Sequence, residues 1–180
     1  MFQLPIRTLD SEHSTGSSEL GQLPDWNLND LYTATDAKEL IRDLNWLEKE
    51  CNEFAKSYEG KLHTLSDKEM LTCIVRNEKI SSISGRIISY AGLLYYQKTT
   101  DADRAKFLSD MQEKITVFTT KLVFFSLEIN SLEDEFLDKL FTKNDQLARY
   151  KPVFEKIRAM KPYQLNDCLL YTSPSPRDRY

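Results

Sequence analysis

From Asp25 to Lys151 the chain contains no proline, and Gly60, Gly85 and Gly92 are the only glycines in that stretch. Proline removes a backbone donor and clashes with the preceding helical turn, while glycine weakens helices and supplies tight turns. A long span poor in both residues is suited to a few long helices rather than many short strands. The six prolines, at positions 5, 24, 152, 162, 174 and 176, all lie outside it.

Apolar periodicity divides this span. Asp36 and Glu39 have the spacing of a capping box, and Leu40, Leu44, Leu47, Cys51, Phe54 and Tyr58 follow at alternating fours and threes. That pattern predicts one apolar helix face, stopped by Gly60. Ser66-Asp67-Lys68-Glu69 is a second start signal. The helix it opens carries Met70, Ile74, Ile80, Ile83, Ile87, Tyr90 and Leu94 and should run to about Lys98. After a cap at Thr99-Thr100-Asp101, a third stripe of Leu108, Met111, Ile115, Phe118, Leu122, Phe125 and Ile129 predicts one continuous helix.

The competing reading of Ile115 to Phe125 is a strand, because β-branched and aromatic residues favour strands. Periodicity across the longer stretch favours the helix, although Lys121-Leu122-Val123-Phe124-Phe125 is an aggregation hazard without a packing partner. Two shorter helices are expected next: Leu132 to Phe141 after a Ser131 cap, and Asp145 to Met160, which Pro152 begins or kinks. The expected fold is an all-α, antiparallel array of three long and two shorter helices.

Both ends depart from this pattern. Residues 1–22, with Ser14-Thr15-Gly16-Ser17-Ser18, read as a flexible leader, and 23–167 as the helical domain. Leu165-Asn166-Asp167 announces another helix, but residues 168–180, Cys168 to Tyr180, lack helical logic.

Composition limits function. Twenty-four basic against 28 acidic residues give a net charge of −4, the wrong sign for a domain that binds by neutralising phosphates, so no nucleic-acid partner is expected. The apolar runs are far too short to span a bilayer, and no secretory signal is readable at Met1 to Asp10. Cys51, Cys73 and Cys168 lack metal-ligand spacing and fit free thiols in a reducing compartment, so a cytoplasmic location is expected.

The residues that usually carry chemistry are sparse. His13 and His63 are the only histidines, and there is no His-Glu-x-x-His, no glycine-rich phosphate loop and no Gly-x-Ser-x-Gly elbow. His63, near Thr64 and Ser66, lacks an orienting third group and reads as a solvated loop residue. Glu133-Asp134-Glu135 suits a helix N-terminus, and Glu48 and Glu50 suit a solvated face. Cys51 and Cys73 have no clear basic neighbour and read as inert thiols. Tyr90, Tyr95 and Tyr96, near Gly92, are the candidate groove residues; the same spacing also suits core or helix–helix contacts.

Several segments nevertheless carry a resemblance: Leu23-Pro24-Asp25-Trp26-Asn27-Leu28-Asn29-Asp30-Leu31-Tyr32, Tyr90-Ala91-Gly92-Leu93-Leu94-Tyr95, Thr99-Thr100-Asp101, Phe124-Phe125-Ser126-Leu127-Glu128-Ile129-Asn130 and Leu147-Ala148-Arg149-Tyr150. In order and spacing, from about Leu23 to Asp167, they resemble the N-terminal region of oligoendopeptidase F, in the thimet-oligopeptidase-like zinc metallopeptidases. The resemblance implies a much longer all-helical parent that hydrolyses short oligopeptides. Its zinc-binding His-Glu-x-x-His helix and later glutamate would lie in a C-terminal catalytic domain beyond this chain.

By the same resemblance, the present residues form a lobe walling a substrate channel, with Tyr90, Tyr95 and Tyr96 as candidate wall residues. No catalytic or metal residue is carried over, so no cofactor is expected in this chain, and zinc only in the parent. Cys168-Leu169-Leu170-Tyr171-Thr172-Ser173-Pro174-Ser175-Pro176-Arg177-Asp178 resembles translated sequencing adapter, which would make 168–180 foreign to the gene. The alternative from another class is a stand-alone helical adaptor presenting an apolar seam to a partner helix.

Overall fold

A computed structural model describes residues 26–163. The expectations for the leader 1–22 and the tail 168–180 lie outside the described residues, as do His13 and Cys168. Seven α-helices follow in order: α1 (Lys38–Tyr58), α2 (Asp67–Gln97), α3 (Ala102–Thr120), α4 (Val123–Ser131), α5 (Asp134–Lys143), α6 (Asp145–Ala148) and α7 (Lys151–Arg158). Short 3-10 turns occupy Leu62–Thr64 and Lys161–Tyr163, and there is no strand among the described residues. No helix here is long and apolar enough to cross a membrane.

The three long helices pack on one another, and the short links between them make successive helices antiparallel. Their stripes meet in a core that includes Leu40, Leu47 and Phe54 of α1, Met70, Ile80 and Ile87 of α2, and Met111 and Ile115 of α3. The shorter helices extend the same core. Phe125 of α4 stands edge-on to Phe54 at 5.8 Å, and Phe141 of α5 stands edge-on to Phe154 of α7 at 5.2 Å.

Several sequence signals work as the chemistry requires. Gly60 takes a φ of 74° just past the end of α1, a conformation that favours glycine. Ser66 and Glu69 form a reciprocal capping box: the Ser66 N–H donates to the Glu69 carboxylate at 2.9 Å, and the Ser66 hydroxyl accepts the Glu69 N–H at 3.4 Å. Asp101 accepts the N–H groups of Asp103 and Arg104 at the start of α3.

Four expected boundaries are corrected. The Asp36–Glu39 box does not form; α1 starts after Ala37, which makes no side-chain cap. Ala37 is itself buried, so packing of the incoming chain sets the entry where a side-chain cap was expected. The third helix is two helices, because the backbone leaves the helix at Lys121-Leu122 although the apolar stripe runs on. Before the break, the Thr119 and Thr120 hydroxyls donate to the carbonyls of Ile115 and Thr116, a pattern that bends helices, and Leu122 N–H bonds back only three residues to Thr119.

The Ser131 cap is absent as well. Ser131 ends α4, its hydroxyl donating to the Glu128 carbonyl at 2.7 Å, and α5 begins at Asp134. The expected Asp145–Met160 helix divides into α6 and α7. Asn144 caps α6 by accepting from Gln146 and Leu147, while Pro152 sits in the first turn of α7, where a missing N–H costs least. Among the described residues the array therefore contains three long and four short helices.

Candidate functional site

The three candidate tyrosines lie on α2 but do not share one surface. Tyr90 is 3% exposed, with its ring edge-on to Tyr32 at 5.4 Å and to Phe107 at 6.1 Å. Burial raises its phenol pKa. Tyr95 is half-buried and Tyr96 is 64% exposed, their rings 5.5 Å apart. Spacings of five and six residues turn Tyr95 and Tyr96 away from the Tyr90 direction on a helix of 3.6 residues per turn.

Tyr90 borders a cleft of about 450 Å³ whose walls include Thr33, Thr35, Leu94, Arg104 and Phe107. Arg104 donates to the Leu94 carbonyl at 2.9 Å and the Gln97 side chain at 3.2 Å. Asp101, also in the cleft, has its carboxyl pKa lowered chiefly by the Arg104 backbone N–H, with Lys98 and Arg104 adding favourable charge. Its Oδ1 is thus committed to capping α3, and its Oδ2 lies 3.6 Å from Lys98 Nζ and 3.8 Å from Arg104 Nε.

The most buried charged group among the described residues lies on α1. Asp43 is 5% exposed and accepts the Tyr32 hydroxyl at 2.9 Å. Arg86 of α2 donates to the same carboxylate and, through Nε, to the Tyr32 hydroxyl at 3.0 Å. Burial and the Asp43 contact push the Tyr32 phenol up to about 12, against the opposing pull of Arg86. The triad ties the incoming segment to α1 and α2. Its sequence signal was a carboxylate three residues after Leu40 and four before Leu47, on the apolar face.

Other carboxylates are engaged in the same structural way. Glu50 accepts Arg76 Nε at 2.7 Å, and the Arg76 guanidinium also lies over the Phe54 and Tyr58 rings at 5.8 and 5.4 Å. Glu128 of α4 accepts the backbone N–H groups of Gly60 and Leu62. Asp134 pairs with Arg158, which also donates to the carbonyls of Ile129 and Leu132. Burial pushes the thiols of Cys51 and Cys73 up to about 11 and about 12, which keeps them protonated near neutrality.

No three His, Cys, Asp or Glu side chains gather to hold a metal ion among the described residues. His63 is exposed in the 3-10 turn, away from any such group. These residues do not fit a catalytic zinc, and no hydrolytic step can be derived through them. What the structure offers is surface. Besides the Tyr90 cleft, a groove of about 590 Å³ lies between α4 and α7, floored by Leu127, Val153, Ile157 and Met160.

The helices that form this groove are also where a comparison with known proteins finds its match. Residues 128–168 match the family model described as Oligopeptidase F. That segment is oligopeptidase F-like. It spans α4 from Glu128 onward and all of α5, α6 and α7, so the oligopeptidase F similarity falls on the short-helix half of the array. The likeness is to an N-terminal domain of this metallopeptidase family, in keeping with the all-helical fold. A search of curated proteins and a search of solved structures each find no significant match.

Proposed function

We propose that this chain is the N-terminal substrate-channel lobe of a cytoplasmic zinc metalloendopeptidase that hydrolyses short oligopeptides. The observation that carries the reading is the oligopeptidase F match across α4 to α7. In this account the zinc ligands and the general base belong to a C-terminal catalytic domain in cis, and the present chain by itself cleaves nothing. Its task is steric: a rigid helical wall admits extended peptides and excludes folded chains. The half-buried Tyr95 and exposed Tyr96 are the proposed wall residues, with the buried Tyr90 holding the helix behind them. Tyrosine suits this use because its ring offers apolar contact and its hydroxyl a hydrogen bond at low entropic cost. Residues 168–180 are read as foreign to the natural gene.

The second reading, a stand-alone helical adaptor, is favoured by the apolar groove between α4 and α7. Metal content and activity separate the two. The complete natural protein, purified and assayed on a mixture of short peptides, should contain zinc and lose activity to a chelator. A metal-free product without peptidase activity would support the adaptor.

A further inference from the structure

We propose that the cleft beside Tyr90 binds a primary ammonium group carried on a peptide, either its amino terminus or a lysine side chain. The choice of a peptide as the source rests on the lobe reading; the site itself rests on geometry. The observation that carries it is the Tyr90 hydroxyl. Tyr90 is 3% exposed, with its ring packed edge-on against Tyr32 and Phe107. A phenol buried this far is normally hydrogen-bonded, yet the Tyr90 hydroxyl makes no hydrogen bond among the described residues. Nor is it sealed in the core, and the surface it reaches is the cleft that Tyr90 lines.

The groups around it select a cation. Thr33 and Thr35 line the same cleft, and their hydroxyls also make no hydrogen bond among the described residues. Asp103 lines it too, with a carboxylate that forms neither an ion pair nor a hydrogen bond there. The groups that would attract an anion are already used. The N–H groups of Asp103 and Arg104 donate to Asp101 Oδ1, and Arg104 Nη1 donates to the Leu94 carbonyl and the Gln97 side chain. Asp101 Oδ2, 3.8 Å from Arg104 Nε, offsets the guanidinium charge, so Asp103 leaves the lining with one carboxylate in excess.

What stays unengaged is that carboxylate and the hydroxyl oxygens of Thr33, Thr35 and Tyr90, all of them acceptors for an ammonium group, which offers only donors. Ala34, Leu94 and Phe107 supply apolar cover for the carbon chain behind it. The cleft volume of about 450 Å³ lies within the range of small-ligand pockets.

The test titrates the isotope-labelled 180-residue chain with tri-alanine amide, Nα-acetyl-tri-alanine amide and Nα-acetyl-lysine amide, and follows backbone amide shifts by NMR. Tri-alanine amide, acetyl-lysine amide or both should shift the Thr35, Asp103 and Arg104 signals saturably; the first assigns the site to an amino terminus, the second to a lysine side chain. Acetyl-tri-alanine amide, which lacks the ammonium, should not bind. Tyr90→Phe and Asp103→Asn should each weaken binding about tenfold, the effect of one hydrogen bond to a charged group. Glu113→Gln, the same loss of charge at an exposed position of α3 outside the cleft, should leave it unchanged. Tyr90→Phe should also keep the thermal midpoint, because its hydroxyl has no partner in the fold to lose.

Equal binding of the acetylated tripeptide, no saturable binding of either ammonium, or indifference to Tyr90→Phe and Asp103→Asn overturns the proposal. A lowered midpoint for Tyr90→Phe overturns it too, since it gives the hydroxyl a structural task. None of these results bears on zinc or peptidase activity in the complete protein, so failure of the cleft and failure of the lobe reading remain distinct.

Discussion

Glu128 and Gly60 lie 68 positions apart in sequence, yet the Glu128 carboxylate accepts the Gly60 N–H at 2.6 Å. Its other oxygen accepts the Leu62 N–H at 3.2 Å. One side chain of α4 thus satisfies two amides of the turn joining α1 to α2, and the break after α3 is what lets α4 present it there. Glu128→Ala should destabilise the fold by about 1–2 kcal/mol, the order of two lost hydrogen bonds to a charged acceptor of which one is partly buried, with Glu128→Gln milder. Urea denaturation followed by circular dichroism measures this; an unchanged midpoint for Glu128→Ala contradicts it.

Two glycine substitutions should act with opposite sign. Gly60 holds a φ of 74° with open space where a Cβ would stand, so Gly60→Ala meets backbone strain without a clash and should cost about 1 kcal/mol. Gly85 sits within α2, also with open space on its Cβ side, and Gly85→Ala should stabilise by about 0.5–1 kcal/mol. Thermal melts of both variants under one buffer test the pair.

The Tyr32 phenol predicts alkaline behaviour. Folding raises its pKa from 10.0 to about 12, so the folded chain retains a proton that the unfolded chain releases. That contribution to stability is complete below pH 10 and declines as pH rises from 10 through 12. Ultraviolet titration should show several late-ionising tyrosines, Tyr90 and Tyr150 among them, and Tyr32→Phe should remove the component near pH 12. Asp43→Ala, which leaves Arg86 and Tyr32 without their shared acceptor, should cost about 2 kcal/mol after allowance for the partial exposure of Arg86.

Cysteine reactivity offers an independent check on the core. Cys51 and Cys73 are fully buried and their thiols titrate well above neutrality. In a Cys168→Ser variant, neither remaining thiol should react with an aromatic disulfide reagent at neutral pH until urea unfolds the chain. Rapid native-state labelling of either cysteine contradicts the packing of α1 on α2.

The long helices were legible in sequence because their signals are local. The Ser66–Glu69 box, the Asp101 cap and the Gly60 stop each depend on groups a few residues apart. The break at Lys121-Leu122 was not legible, since the apolar stripe passes through it unbroken and the turn serves contacts at Phe54 and Gly60 that are remote in sequence. The tyrosines show the same limit. Their proximity in sequence suggested a shared groove, but helix phase sends Tyr90 into the core and Tyr96 to the surface. The Asp43 triad was missed because Arg86 and Tyr32 reach it from two other segments.

The most direct test of the central claim is to sequence the natural gene across the codons for Asp167 and Cys168 and onward through its reading frame. The account predicts that the frame leaves this chain's sequence at Cys168, continues through further helical segments and reaches a His-Glu-x-x-His helix. A genomic frame that encodes residues 168–180 as they stand and ends at Tyr180 would contradict it.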